Sequence, residues 1–128
     1  MTARRAMLAN ASFSAVSAVF ILAAREALFP LFALRSSAVL IAVAAGLLLY
    51  AGSLVAAARR EPPDRRALLT AAALDGGWVA GSVVVLLLAW SELAPAARVL
   101  LIIAAVVVEI FATLQWRFAR LPGREVAR

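Results

Sequence analysis

Two acids stand inside long apolar runs, where a carboxyl group has little reason to be unless it does something. Asp75 lies in the stretch "LDGGWVAGS", residues 74–82, and Glu109 follows a run of three valines. A carboxyl in apolar surroundings can carry a proton, hold a hydrogen-bond donor or pair with a cation, and an intramembrane acid is a functional candidate by default. Groups able to answer a carboxyl occur at matching depth. Counted from the nearest flanking arginine, Ser14 is nine residues from Arg5, Tyr50 nine from Arg59, Asp75 nine from Arg66 and Glu109 eight from Arg117. Nine helical residues rise about 13–14 Å, close to the middle of a ~30 Å hydrocarbon core.

Each of these residues sits in a polar stripe with helical spacing: Asn10, Ser14 and Ser17; Gly46, Tyr50 and Ser53; Asp75, Trp78 and Ser82; Glu109, Thr113 and Trp116. Turning all four stripes inward gives a bundle with a polar centre. Asp75 and Glu109 must then be neutral, bonded to Tyr50, Ser14, Asn10 or water, or paired with a partner molecule, because no arginine lies at their depth. Two carboxyls side by side would share one proton. The plain structural alternative is glue, with Asp75 bonded to Ser14 or Tyr50 across helices. Trp90 and Trp116, near helix ends, read as interface anchors, whereas Trp78 lies near mid-depth and its indole N–H needs a partner there.

The elements that carry these residues are four apolar runs, roughly Met7–Ala24, Ser37–Ala58, Ala67–Trp90 and Pro95–Trp116, in a chain of 128 residues that is 66% hydrophobic. Each is long enough for a bilayer-crossing helix, and little is left for a soluble domain. The fold expected is all-α, a single-domain polytopic membrane protein built as an antiparallel four-transmembrane-helix bundle. The first run has the outline of a secretory signal, with Arg4 and Arg5 ahead of it and Ala23-Ala24 at its end. Three further spans favour its retention as the first transmembrane helix.

All 13 basic residues are arginine, and they divide unevenly. Ten (Arg4, Arg5, Arg59, Arg60, Arg65, Arg66, Arg117, Arg120, Arg124 and Arg128) fall on one side of the spans, against Arg25, Arg35 and Arg98 on the other. The positive-inside rule puts both termini and the central loop in the cytoplasm, with residues 117–128 as a short cytoplasmic tail in which Pro122 and Gly123 end helix four. This distribution forms no groove-sized basic surface, so nucleic acid is not a partner; membrane lipid is.

In the central loop, Pro62 and Pro63 stop helix two and Asp64 suits the cap of helix three. So short a loop makes helices two and three close antiparallel neighbours. Pro95 suits the first turn of helix four. Between the first two spans, residues 25–36 mix Leu28, Phe29, Leu31 and Phe32 with Arg25, Glu26, Pro30 and Arg35, which fits an interfacial segment on the outer leaflet; continuation of helix one to about Phe29 is the alternative. On helix three, Ala73, Gly77 and Gly81 form a small-xxx-small series opposite Asp75, which lets another backbone approach. Gly46 reads likewise as a packing position. With a packing face on one side and an acid on the other, helix three should be the least lipid-exposed. A hinge at Gly76-Gly77 is the functional alternative.

Cysteine and histidine are both absent. Disulfides, thiolate metal sites, histidine metal ligands, ordinary haem ligation and the commonest nucleophiles and bases go with them. No metal or other cofactor is implied, and no nucleophile–base constellation points to an enzyme.

"RRAMLANASFS" followed by "LDGGWVAGS" resembles a group of small bacterial four-span integral membrane proteins, a likeness that covers most of the chain and implies no particular activity. The arrangement of four short spans also resembles small multidrug resistance transporters in architecture alone: those carry a glutamate in the middle of helix one, where this chain has Ser14. The resemblance and the topology together imply a multi-pass protein of the bacterial cytoplasmic membrane. The function expected is non-enzymatic. Either the bundle interior holds a small amphipathic ligand such as a lipid, quinone or pigment, or the glycine face docks a larger membrane complex. The alternative is a proton-coupled transporter or channel, acting as a homo-oligomer, in which Asp75 and Glu109 exchange protons with substrate.

Overall fold

The computed structural model of the chain describes residues 1–122. Gly123 and the tail arginines Arg124 and Arg128 lie outside the described residues.

Four helices follow one another: α1 (Ala3–Leu31), α2 (Ala38–Ala58), α3 (Arg65–Ala89) and α4 (Pro95–Arg120). Each is long and apolar enough to cross a membrane. Their starts are capped as local chemistry dictates. Thr2 accepts a hydrogen bond from the Arg5 backbone N–H at 3.2 Å, and Asp64 accepts from that of Arg66 at 3.1 Å, so both side chains satisfy donors that a helix start leaves open. Pro95 occupies the first turn of α4, where its missing N–H costs nothing.

α1 runs unbroken through residues 25–31, so this stretch extends the first helix and is not a segment distinct from it. Pro30 falls in the last turn, where the backbone bond it cannot donate is lost next to the helix end, not in its middle. The helix then stops at Ala33, which takes a left-handed φ of 57°, while the backbone N–H groups of Ala33 and Leu34 close back onto Pro30 and Phe29.

The start of α1, the end of α2, the start of α3 and the end of α4 share one buried cluster. Ala3, Met7, Ala11, Ala51, Leu54, Ala58, Leu68, Ala71 and Ala119 form it. Six of these nine are alanines, and small side chains are what let helices approach when lipid supplies no hydrophobic drive between them. At the opposite end the Ala94 backbone N–H donates to the Leu31 carbonyl at 2.9 Å, tying the α3–α4 turn to the end of α1. There Leu93 is buried, and Arg98 bonds the Trp90 carbonyl while its guanidinium lies 4.4 Å from the centre of that indole.

Backbones come close between α1 and α2, between α3 and α4, and between α1 and α4. The Phe13 and Phe111 rings, 6.0 Å apart, belong to the last of these contacts. α2 and α3 do not approach in this way, despite the short loop between them. Tyr50 and Leu54 on α2, facing Asp75, Leu68 and Ala71 on α3, hold the two backbones apart. The helix with the most buried apolar stretch is α1, at 33% against 22% for α3. The sequence assigned that position to α3, but the alanine stripe that admits neighbours is on α1.

Candidate functional site

Asp75 is 4% exposed, and each of its carboxylate oxygens accepts one hydrogen bond from another helix. Asn10 Nδ2 on α1 donates to Oδ2 at 2.7 Å. The Tyr50 hydroxyl on α2 donates to Oδ1 at 2.9 Å. That hydroxyl also lies 3.3 Å from the Ala71 carbonyl and 3.4 Å from Asn10 Nδ2. Three helices thus meet through one acid, one amide and one phenol. The helical register explains why. Asn10 continues the inward stripe of Ala3, Ala6 and Met7, and Asp75 the stripe of Leu68, Ala71 and Ala72. Tyr50 reaches from α2 to Asp75 on α3 with its phenolic hydroxyl.

Beside this cluster lies a cavity of about 560 Å³. Ser14, Ser17, Phe13 and Ile21 line it from α1; Val43, Gly46, Leu47, Leu49, Tyr50 and Ser53 from α2; Leu74, Asp75 and Trp78 from α3; and Ala104 and Val108 from α4. Its lining is mostly apolar, with Tyr50, Asp75 and the serines as the polar exceptions. Leu49 on α2 and Leu74 on α3 are 77% and 57% exposed. Both line the cavity while reaching the surface, one from each of the two helices whose backbones stay largely apart. The cavity is therefore a cleft in the side of the bundle, of a size that suits small ligands.

No family model matches the chain, and neither a curated protein nor a solved structure is similar to it. What the site can do follows from its own geometry.

The other residues singled out by sequence divide into those gathered here and those sent elsewhere. Ser14 is buried at the cleft wall. Ser53 lines the cleft but donates to the Tyr50 carbonyl, and buried Ser82 donates to that of Trp78. Trp78 lines the cleft and stays partly exposed. Glu109 is not in the layer at all. It is exposed on the outer side of α4, in line with Thr113 and Trp116, and its hydrogen bond is one accepted from Thr113 at 3.4 Å. The polar stripe of α4 is real as a stripe but faces away from the bundle, so Asp75 and Glu109 do not form a pair. Ala73, Gly77 and Gly81 are exposed as well, and a Cβ added at Gly46, Gly77 or Gly81 would meet no atom within 4 Å. Within this chain these glycines pack no neighbour; Gly46 instead widens the cleft. Gly76 lies inside unbroken helix, so no hinge is visible at the glycine pair.

Sequence reasoning missed Gln115. Its side chain is fully buried, and neither amide atom has a hydrogen-bond partner among the described residues. It belongs to the inward stripe of α4, with Val108, Ala112 and Ala119. The signal was present: alanines at 112 and 119 mark a face that admits neighbours, about 100° round the helix from the one chosen for its charge.

Proposed function

We propose that this is a multi-pass protein of the bacterial inner membrane, its helices alternating in direction with both termini in the cytoplasm. In this reading the cleft between α2 and α3 binds a small amphipathic molecule that enters sideways from the lipid. The observation that carries it is a ~560 Å³ apolar cleft, open between two helices, whose inner wall holds the buried Asn10–Tyr50–Asp75 cluster. An apolar body would fill the space beside Val43, Leu47 and Val108, and a polar end would reach Asp75. In this reading the role is binding, not catalysis. The test is photolabelling with an alkyl diazirine in nanodiscs, followed by peptide mapping. Labels on Leu47 and Leu74 above the level at outward Leu87 support the reading; uniform labelling of all exposed positions removes it.

A second reading is favoured by one observation, the uncovered outer face that carries Ala73, Gly77 and Gly81 on α3. Docking of a larger membrane complex or of a second copy would use that face, separately from the cleft. Because the chain has no cysteine, Gly77→Cys gives a clean cross-linking test. Proton-coupled transport would have to use Asp75 and Glu109 separately within one chain, because Asp75 is buried at the cleft and Glu109 is exposed on α4.

A further inference from the structure

The Asp75 carboxylate on the cleft wall is an acceptor, while Ser14, Ser17 and Trp78 bring hydroxyl and indole donors to the same lining. Both the donors and the acceptors can be followed one by one. The Asn10 amide N–H groups go to Asp75 and Tyr50. The Tyr50 O–H goes to Asp75, with the Ala71 carbonyl near it. The Ser53 hydroxyl is spent on the Tyr50 carbonyl. What remains at Asp75 is acceptor capacity. A carboxylate offers about four lone-pair positions, and two are in use there.

The charge balance points the same way. Among the described residues the ion pairs are Arg4 with Glu61 and Arg25 with Glu26, both exposed. Asp75 belongs to neither; Arg66 is nine residues from it along α3, and Arg59 at the end of α2 is nine from Tyr50, in each case about 13 Å of helix rise. Trp78 lines the same cleft, and an indole beside a desolvated cation adds attraction.

We propose that the ligand's polar end is a primary or secondary ammonium group, so that the cleft selects alkylamines whose cationic head donates N–H to Asp75. The inference rests on the reading of the cleft as a ligand site. It excludes head groups that only accept. A carboxylate or phosphate would meet the Asp75 carboxylate with no cation between them, and a quinone carbonyl brings no donor to the open positions on Asp75. It also separates N–H-bearing ammonium ions from quaternary ones, which carry the charge but cannot make a charge-assisted hydrogen bond. The tail has room to run along α2 from Ser53 to Val43, about 15 Å of rise.

The experiment is competition against the alkyl diazirine label, with the full chain in zwitterionic nanodiscs at neutral pH. Four competitors share one tail: dodecylamine, dodecyltrimethylammonium, dodecanol and dodecanoate, compared at equal membrane-bound concentration. Dodecylamine is expected to displace the label from Leu47 and Leu74 about tenfold to a hundredfold better than dodecanol or dodecanoate, and measurably better than its trimethyl analogue. In Asp75→Asn that advantage should collapse to the level of dodecanol. Should this variant not fold, the comparison of dodecylamine with the trimethyl compound on the unaltered protein decides the point. Equal competition by dodecanol or dodecanoate, with the cleft still labelled, overturns the ammonium assignment and leaves the cleft reading standing. Equal competition by the trimethyl compound overturns the N–H requirement. Failure of the diazirine to label the cleft of the unaltered protein overturns both.

Discussion

Asn10 and Asp75, 65 residues apart in the chain, are joined by a 2.7 Å hydrogen bond from amide to carboxylate. With the Tyr50 hydroxyl on the other oxygen, this links α1, α2 and α3 where α2 and α3 have few close backbone contacts of their own. The bond is therefore structural as well as a feature of the cleft.

Tyr50→Phe keeps the ring and removes the link between α2 and α3. Interhelical hydrogen bonds in membranes contribute about 0.6–2 kcal/mol, and a loss in that range is expected from reversible unfolding in mixed micelles. Asn10→Leu should cost more, because the Asp75 oxygen it serves is then left buried and unpaired. An unchanged unfolding midpoint for both variants would mean that the cluster does not hold the helices.

Gln115→Leu is expected to stabilise the protein. The amide is fully buried with no hydrogen-bond partner among the described residues, a situation that costs about 1–3 kcal/mol. A lower midpoint for the leucine variant would show that the amide is satisfied in the membrane by something that leucine cannot replace.

Gly77→Ala and Gly81→Ala meet open space. Replacing a mid-helix glycine gains about 0.5–1 kcal/mol, so each variant should unfold slightly later than the parent in detergent. The same substitutions in native membranes test the docking reading, since a partner that needs close approach would be lost from co-purification.

Gly46→Leu should close the cleft without disturbing the fold, because Gly46 lines the cavity and no atom lies within 4 Å of an added Cβ. Photolabelling of Leu47 and Leu74 is expected to fall to the level of outward residues while the helical content by circular dichroism is unchanged. Retained labelling would place the probe outside the cleft.

Single cysteines test the topology directly. A membrane-impermeant maleimide applied to intact cells should label Ser91→Cys, in the α3–α4 turn, and spare Glu61→Cys, in the arginine-rich loop. The reverse pattern would turn the protein over in the membrane.

The four helices and several of their ends were legible in the sequence for simple reasons. Apolar length identifies a span, and Asp64 and Pro95 have only one place in a helix where they are comfortable. Helix rotation was not equally legible. In a soluble bundle the apolar face is the inner face, but here both faces are apolar, so polarity alone had to decide. It decided correctly for Asn10 and Tyr50, whose neighbours are small or inward. It misjudged α4, where Glu109 outweighed the quieter mark left by Ala112, Gln115 and Ala119. The glycines misled in a related way: absence of a side chain permits a neighbour but does not supply one. The end of α1 was misread because charged residues at 25 and 26 look like a boundary, yet a helix accepts them when they are exposed at its end.

The separation of α2 from α3 bears on how the protein is made. The close pairs α1–α2 and α3–α4 are consecutive in the chain, so each can form as soon as its second member leaves the insertion machinery. Asn10 and Tyr50 arrive with the first pair and Asp75 with the second. The acid thus reaches its two partners only when the second pair packs against the first, so this cluster is the clasp that joins the two halves of the bundle.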